Sequence, residues 1–163
     1  MDNYGSVAAL LPQQAPMLLL DEVVEVKEES AHCRVRVGND SVLAPFLDRT
    51  GNLPGWFVLE MMAQTVGVWF GWRQRQTLGA SPRPGMLLGA RALCCHQPTF
   101  CAGSILDIRV ILLMRDDKFG SFDSEISQDG KLLASARLAI YQPGEEELQQ
   151  LLQQELLQQD GVE

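Results

Sequence analysis

Positive charge is in short supply in this chain. Thirteen Lys and Arg face 21 Asp and Glu over 163 residues, a formal net charge of −8. A chain of that sign repels nucleic acid and anionic membrane as a whole, and it has no Lys- or Arg-rich tail to reverse the effect. Neither is expected as a partner. Histidine occurs only at His32 and His96, and cysteine only at Cys33, Cys94, Cys95 and Cys101. None of the cysteines forms a CxxC pair or stands at zinc spacing from a histidine. No metal or redox cofactor is therefore expected, and the thiols read as small buried hydrophobes in a reducing compartment. The N-terminus, MDNYGSV, lacks the charged-then-apolar layout of a signal peptide, so a cytoplasmic location is expected. The apolar run from Trp56 to Trp72 falls short of the ~20 residues of a membrane span. It also carries Glu60 and Gln64, which a span disfavours.

What is present is an ordinary globular composition, 46% hydrophobic, in a length that suits one domain with its own core. Ser6–Leu11 reads as a short helical or turn segment before Pro12. Met17–Lys27 and Ala31–Val37 read as strands joined by a hairpin at Glu28, Glu29 and Ser30. A loop follows from Gly38 to Leu53. Pro54 to about Gln76 is the longest uniform segment, with a Pro-Gly start and arginines at the far end, both suited to a helix. After a break at Leu78–Gly85 come four strand-like segments: Met86–His96, Ile105–Met114, Phe119–Gln128 and Lys131–Tyr141. Turn signals stand at Asp116-Asp117 and Asp129-Gly130. Residues 144–163 form a Gln/Glu/Leu-rich tail with an amphipathic helix, separate from a domain at 1–143. Strands, one long helix, then antiparallel strands is an α+β order. A helix apolar nearly all round must be surrounded, and a curved antiparallel sheet of five or more strands wrapped around it is the hotdog arrangement.

Within that helix Glu60 and Gln64 are four apart and share one face. A carboxylate among apolar neighbours is expected to be paired, protonated or functional. A carboxyl that holds its proton at neutral pH is what a general acid needs. Glu60 is therefore the candidate catalytic group, with a place at the rim, solvated or paired with an arginine such as Arg91, as the structural alternative. At the helix start, Gly55 and its neighbours are expected to offer free N–H groups that can polarise a carbonyl oxygen. Trp56 stands beside them.

Three stretches carry a resemblance. LLPQQAPMLLLDEVVEV, LPGWFVLEMMAQTVGVWFGW and RALCCHQPTFCAGSILDIRV together resemble the 3-hydroxyacyl-[acyl carrier protein] dehydratases, across about Leu10 to Tyr141. The wording LPGWFVLEMMAQ is similar to the divergent branch found in aryl-polyene pigment pathways. The resemblance implies a hotdog fold and elimination of water from a carrier-bound 3-hydroxyacyl thioester to give a 2-enoyl thioester, in fatty-acid- or polyketide-type chain building. It places Gly55 on the amide that binds the thioester carbonyl, Glu60 on the catalytic carboxylate and Gln64 on its supporting glutamine. The family's catalytic histidine belongs to the loop before this helix, but here that loop reads APFLDRTGNLPG and contains none. Asp48 and Asn52 are the loop residues left to contribute, and His32 and His96 lie in strands.

The resemblance implies an acyl carrier protein and a second hotdog subunit as partners, in a homodimer or a heterodimer. In such dehydratases the histidine and the carboxylate of one site come from different protomers. One alternative to a dehydratase acting by itself, with Asp48, Asn52 or a water in the histidine's place, is then a non-catalytic or half-equipped subunit paired with a histidine-bearing dehydratase, and a thioesterase using Glu60 on water is another. Arg73, Arg75, Arg83 and Arg91 are the candidate docking patch for an acidic carrier.

Overall fold

The computed structural model describes residues 4–11, 17–78, 85–116 and 118–160. A single turn of helix, α1 (Val7–Leu10), is capped by the Ser6 hydroxyl, which accepts from Ala9 N–H at 3.2 Å. Strands β1 (Glu22–Lys27) and β2 (Ser30–Arg36) form the expected hairpin. The segment between β2 and the long helix holds a turn of 3-10 helix at Ala44–Phe46 and a short strand, β3 (Leu53–Pro54). A second 3-10 turn at Gly55–Phe57 leads into α2 (Val58–Leu78). Then follow β4 (Met86–Cys95), β5 (Thr99–Phe100), β6 (Ile105–Arg115), β7 (Phe119–Gln128), β8 (Lys131–Tyr141) and α3 (Glu145–Asp160).

Six strands form one antiparallel sheet in the order β1-β2-β6-β7-β8-β4, while β3 pairs with β5 apart from it. The helix lies across the sheet, packed on β1, β2, β6, β7 and β8. Alternation places Ala31, Cys33 and Val35 of β2, with Leu106, Ile108 and Val110 of β6, on the helix side. On α2, Met61, Met62, Val66, Trp69 and Phe70 face them. Trp69, Phe70 and Phe122 meet in an edge-to-face triad with centroids 5.0–5.8 Å apart. The buried indole N–H of Trp69 is donated to Glu28 O at 3.2 Å. No described helix is long and apolar enough to cross a membrane.

One expectation fails on burial. Only Cys33 is buried, whereas Cys94, Cys95 and Cys101 are exposed. For Cys94 and Cys95 the reason is that β4 is an edge strand, and all ten of its residues are exposed in the protomer; Cys101 lies in the connection between β5 and β6. An apolar edge ten residues long, with Met86, Leu87, Leu88 and Leu93 open, is a strand that other chains can pair with. The C-terminal helix meets the sheet through Glu147, which takes hydrogen bonds from Lys118 Nζ at 2.8 Å and from the Tyr141 hydroxyl. Leu151, Leu152, Leu156 and Leu157 of that helix are exposed.

Candidate active site

Glu60 and, three, four, seven and ten residues on, Ala63, Gln64, Gly67 and Phe70 share one face of the helix and line a cavity with Leu87 of β4 and Ile140 of β8. Gln64 is 1% exposed and uses its whole amide. Its Oε1 accepts from Leu19 N–H at 2.9 Å, and its Nε2 donates to Met17 O at 2.9 Å and to Glu60 Oε1 at 3.2 Å. The chain ahead of β1 is thereby tied to the helix, and Glu60 is held by a side chain that cannot move freely. Glu60 itself is exposed in the protomer, as the solvated alternative has it and not buried as the catalytic reading expected. Among the described residues it makes no ion pair to Arg91 or any other cation. Glu60 and Gln64 line that cavity, of about 110 Å³, together with apolar Leu11, Phe70, Leu87 and Ile140 and with Gln142.

The helix start also departs from expectation. The Gly55 N–H is not free, being donated to Pro98 O at 2.8 Å. A Cβ on Gly55 would lie 3.0 Å from both Gln97 O and Pro98 O, so the glycine serves the close approach of the β4–β5 connection. The next amide, Trp56 N–H, has no acceptor among the described residues and stands at the positive end of the helix. Trp56 is 77% exposed and lines an open cleft with Leu59, Leu93, Cys95, His96 and Gln97.

Neither loop candidate points at Glu60's cavity. The Asp48 carboxylate accepts from Thr50 Oγ1 at 2.7 Å, Thr50 N–H at 2.9 Å and Asn52 N–H at 3.0 Å. The Thr50 hydroxyl, then the backbone N–H groups, hold its pKa below the ordinary carboxylate value. Asn52 Oδ1 accepts from Ala102 N–H at 3.0 Å. Both side chains build the turn. His32 faces away from the helix on the outer side of β2 and hydrogen-bonds Asp107 Oδ1 at 2.7 Å. Burial lowers its pKa despite that bond. Burial alone would raise Asp107, yet His32 and Arg34 outweigh it and hold that carboxyl low.

The docking patch divides. Arg73 donates to Glu28 O at 3.2 Å and lies over the Trp69 ring, with Arg115 also on that ring. Arg91 lies on β4, at the opposite edge of the sheet from the β1–β2 turn that Arg73 reaches. Arg75 is exposed near the end of α2, and Arg83 lies outside the described residues. Arg115, at the end of β6, had no signal linking it to α2. The cleft residues of β4 were also unforeseen, because a bulge between Arg91 and Cys94 re-aims them. At that bulge Ala92 adopts φ +52°, a left-handed conformation that no pattern of side chains announces.

Residues 5–153 match the ApeP-like family, described as ApeP dehydratase. Over 142 residues, 86% of this chain and 98% of the relative, the chain is 31% identical to the 3-hydroxyacyl-[acyl-carrier-protein] dehydratase FabZ of Latilactobacillus sakei subsp. sakei. Among solved structures, a chain of the dehydratase heterocomplex ApeI:P from Xenorhabdus doucetiae is 50% identical. It superposes with a TM-score of 0.87 over 92% of this chain and 99% of that one. The phenylacetic acid degradation protein PaaI of Thermus thermophilus shares only the fold, at 17% identity and a TM-score of 0.55 over 75% and 92% of the two chains.

Proposed function

The chain belongs to the ApeP-like dehydratase family, and from that premise we propose that it is one half of a two-subunit dehydratase. Its substrate is a 3-hydroxyacyl thioester on an acyl carrier protein, and a second hotdog subunit completes its site across the β4 edge. One observation carries this reading. A carboxylate held by a buried amide lines a cavity that reaches the unpaired edge strand β4 at Leu87, while neither histidine lines that cavity. His32 is engaged on the far side of the sheet, and His96 lines the cleft at the helix start.

In this scheme the partner supplies the base that removes the C2 proton. Glu60 holds the C3 hydroxyl, which leaves as water with the proton taken from C2, and the 2-enoyl thioester remains. Trp56 N–H, at the helix start, takes the role first expected of Gly55 and polarises the thioester carbonyl. The relative from Xenorhabdus is itself described as a heterocomplex, which supports pairing with an unlike subunit. Arg73 and Arg115, both on the Trp69 ring, form the local positive patch for an acidic carrier, while Arg75, two residues on along the helix, lies by Gly5 instead.

The test is Glu60→Gln in the mixed complex. The substitution keeps shape and the bond to Gln64 but removes the carboxyl, and dehydration should fall about 10²- to 10⁴-fold. Undiminished enoyl thioester formation would refute the assignment, and free acid as the product would point to a thioesterase.

A further inference from the structure

The cavity beside Glu60 is lined by exposed Glu60 and Leu87 and by three buried apolar side chains, Leu11, Phe70 and Ile140, which are 1%, 7% and 3% exposed. Phe70 is fixed by the aromatic triad and Ile140 by the sheet, but Leu11 comes from the N-terminal segment. Two glycines one helical turn apart decide where it lies. A Cβ on Gly71 would sit 2.0 Å from Leu10 O, and one on Gly67 would sit 2.8 Å from Leu11 Cδ2. Backbone and side chain of the segment therefore rest directly on α2. Each glycine costs the helix about 1 kcal/mol relative to Ala, and the contact with Leu10 and Leu11 is what that sacrifice permits. The segment is also closed on itself, with Leu11 N–H donated to Val7 O at 3.1 Å.

We propose that Leu11, seated on Gly67, is the floor of the acyl pocket and sets the longest acyl tail that the site accepts. This rests on the proposal above that the cavity takes the tail of a thioester. A cavity of about 150 Å³ holds benzene, so 110 Å³ holds roughly four tail carbons. Gly67 is a positioning residue in this account, acting only through Leu11.

The experiment is calorimetric binding of a series of acyl-pantetheine thioethers, stable analogues of the thioester, to the full chain. Wild type, Leu11→Ala and Leu11→Phe are compared, each checked for an intact thermal transition. For wild type each carbon should tighten Kd up to about fourfold until roughly four tail carbons are accommodated, and then no further. Leu11→Ala should move that limit up by two or three carbons, and Leu11→Phe should move it down. The larger side chain gives a folded test should the smaller one unfold. The same limit in all folded variants overturns Leu11 as the floor while the thioester reading stands. A wild-type chain that binds no member of the series overturns both.

Discussion

Replacing Gln64 by Leu separates the account from one in which Gln64 merely fills space. The side chain is 1% exposed, and its amide serves Leu19 N–H, Met17 O and Glu60 together. Leucine keeps much of the volume and removes every one of those bonds. Leu19 is 2% exposed, so its N–H would be left buried without an acceptor, at about 1–3 kcal/mol. Met17 is 60% exposed, so water can take over at its carbonyl, and that loss is about 1 kcal/mol or less. Together they make roughly 1–4 kcal/mol. For a chain of this length each kcal/mol moves Tm about 2–4 °C, so Gln64→Leu should melt roughly 2–16 °C lower by circular dichroism. Gln64→Glu offers a second comparison, since it restores an acceptor for Leu19 but sets oxygen against Met17 O and a carboxylate against Glu60. A proton shared between the two carboxyls relieves that repulsion, so this variant should regain stability as pH falls and lose it as pH rises. A Gln64→Leu protein melting within a degree of wild type would refute the reasoning.

Three further outcomes follow from the same geometry. Burial pushes the Cys33 thiol up to about 12, so a thiol reagent at pH 8 should label Cys101 in the native protein and Cys33 only after unfolding; a partner on β4 should slow Cys94 and Cys95, and mass spectrometry of the labelled peptides reads both effects. His32 has its folded pKa lowered, so below about 6.5 the unfolded chain takes up the proton first and stability falls as pH drops through that window. Asp107, also lowered, keeps its contribution until pH falls below about 3.8. His32→Gln should remove the step below 6.5 from urea midpoints measured against pH, and an unchanged step would assign it elsewhere. Ala92→Gly relieves a left-handed alanine and should raise the urea unfolding free energy by about 0.5–1 kcal/mol, whereas a loss would show that the bulge depends on the methyl group.

The fold was readable where local pattern and physics coincide. Asp129-Gly130 marks its hairpin because both residues take positive φ there, +51° and +79°. The long apolar run marks α2, and the four-residue step places Glu60 beside Gln64. The exposure of Glu60 stood only as an alternative, since helical spacing says which residues share a face but not how far the sheet covers it. The same gap hid the edge position of β4, whose apolar sequence, MLLGARALCC, resembles that of a covered strand. Gly55 misled for a different reason. Its N–H was expected free because it starts a helix, but its acceptor is Pro98, 43 residues away, and no local signal carries such a contact. Gly67 and Gly71 looked like ordinary helix interior until Leu10 and Leu11 were found resting on them.

The central claim is that this chain supplies the carboxylate and a second subunit supplies the base. Dehydration of a 3-hydroxyacyl carrier-protein substrate, followed as formation of the enoyl thioester, tests it most directly when the purified chain is assayed alone and mixed with a histidine-bearing hotdog dehydratase. The account predicts little or no turnover by the chain alone, and turnover in the mixture that falls when Glu60→Gln replaces the wild-type chain. Robust dehydration by the lone protein would contradict it.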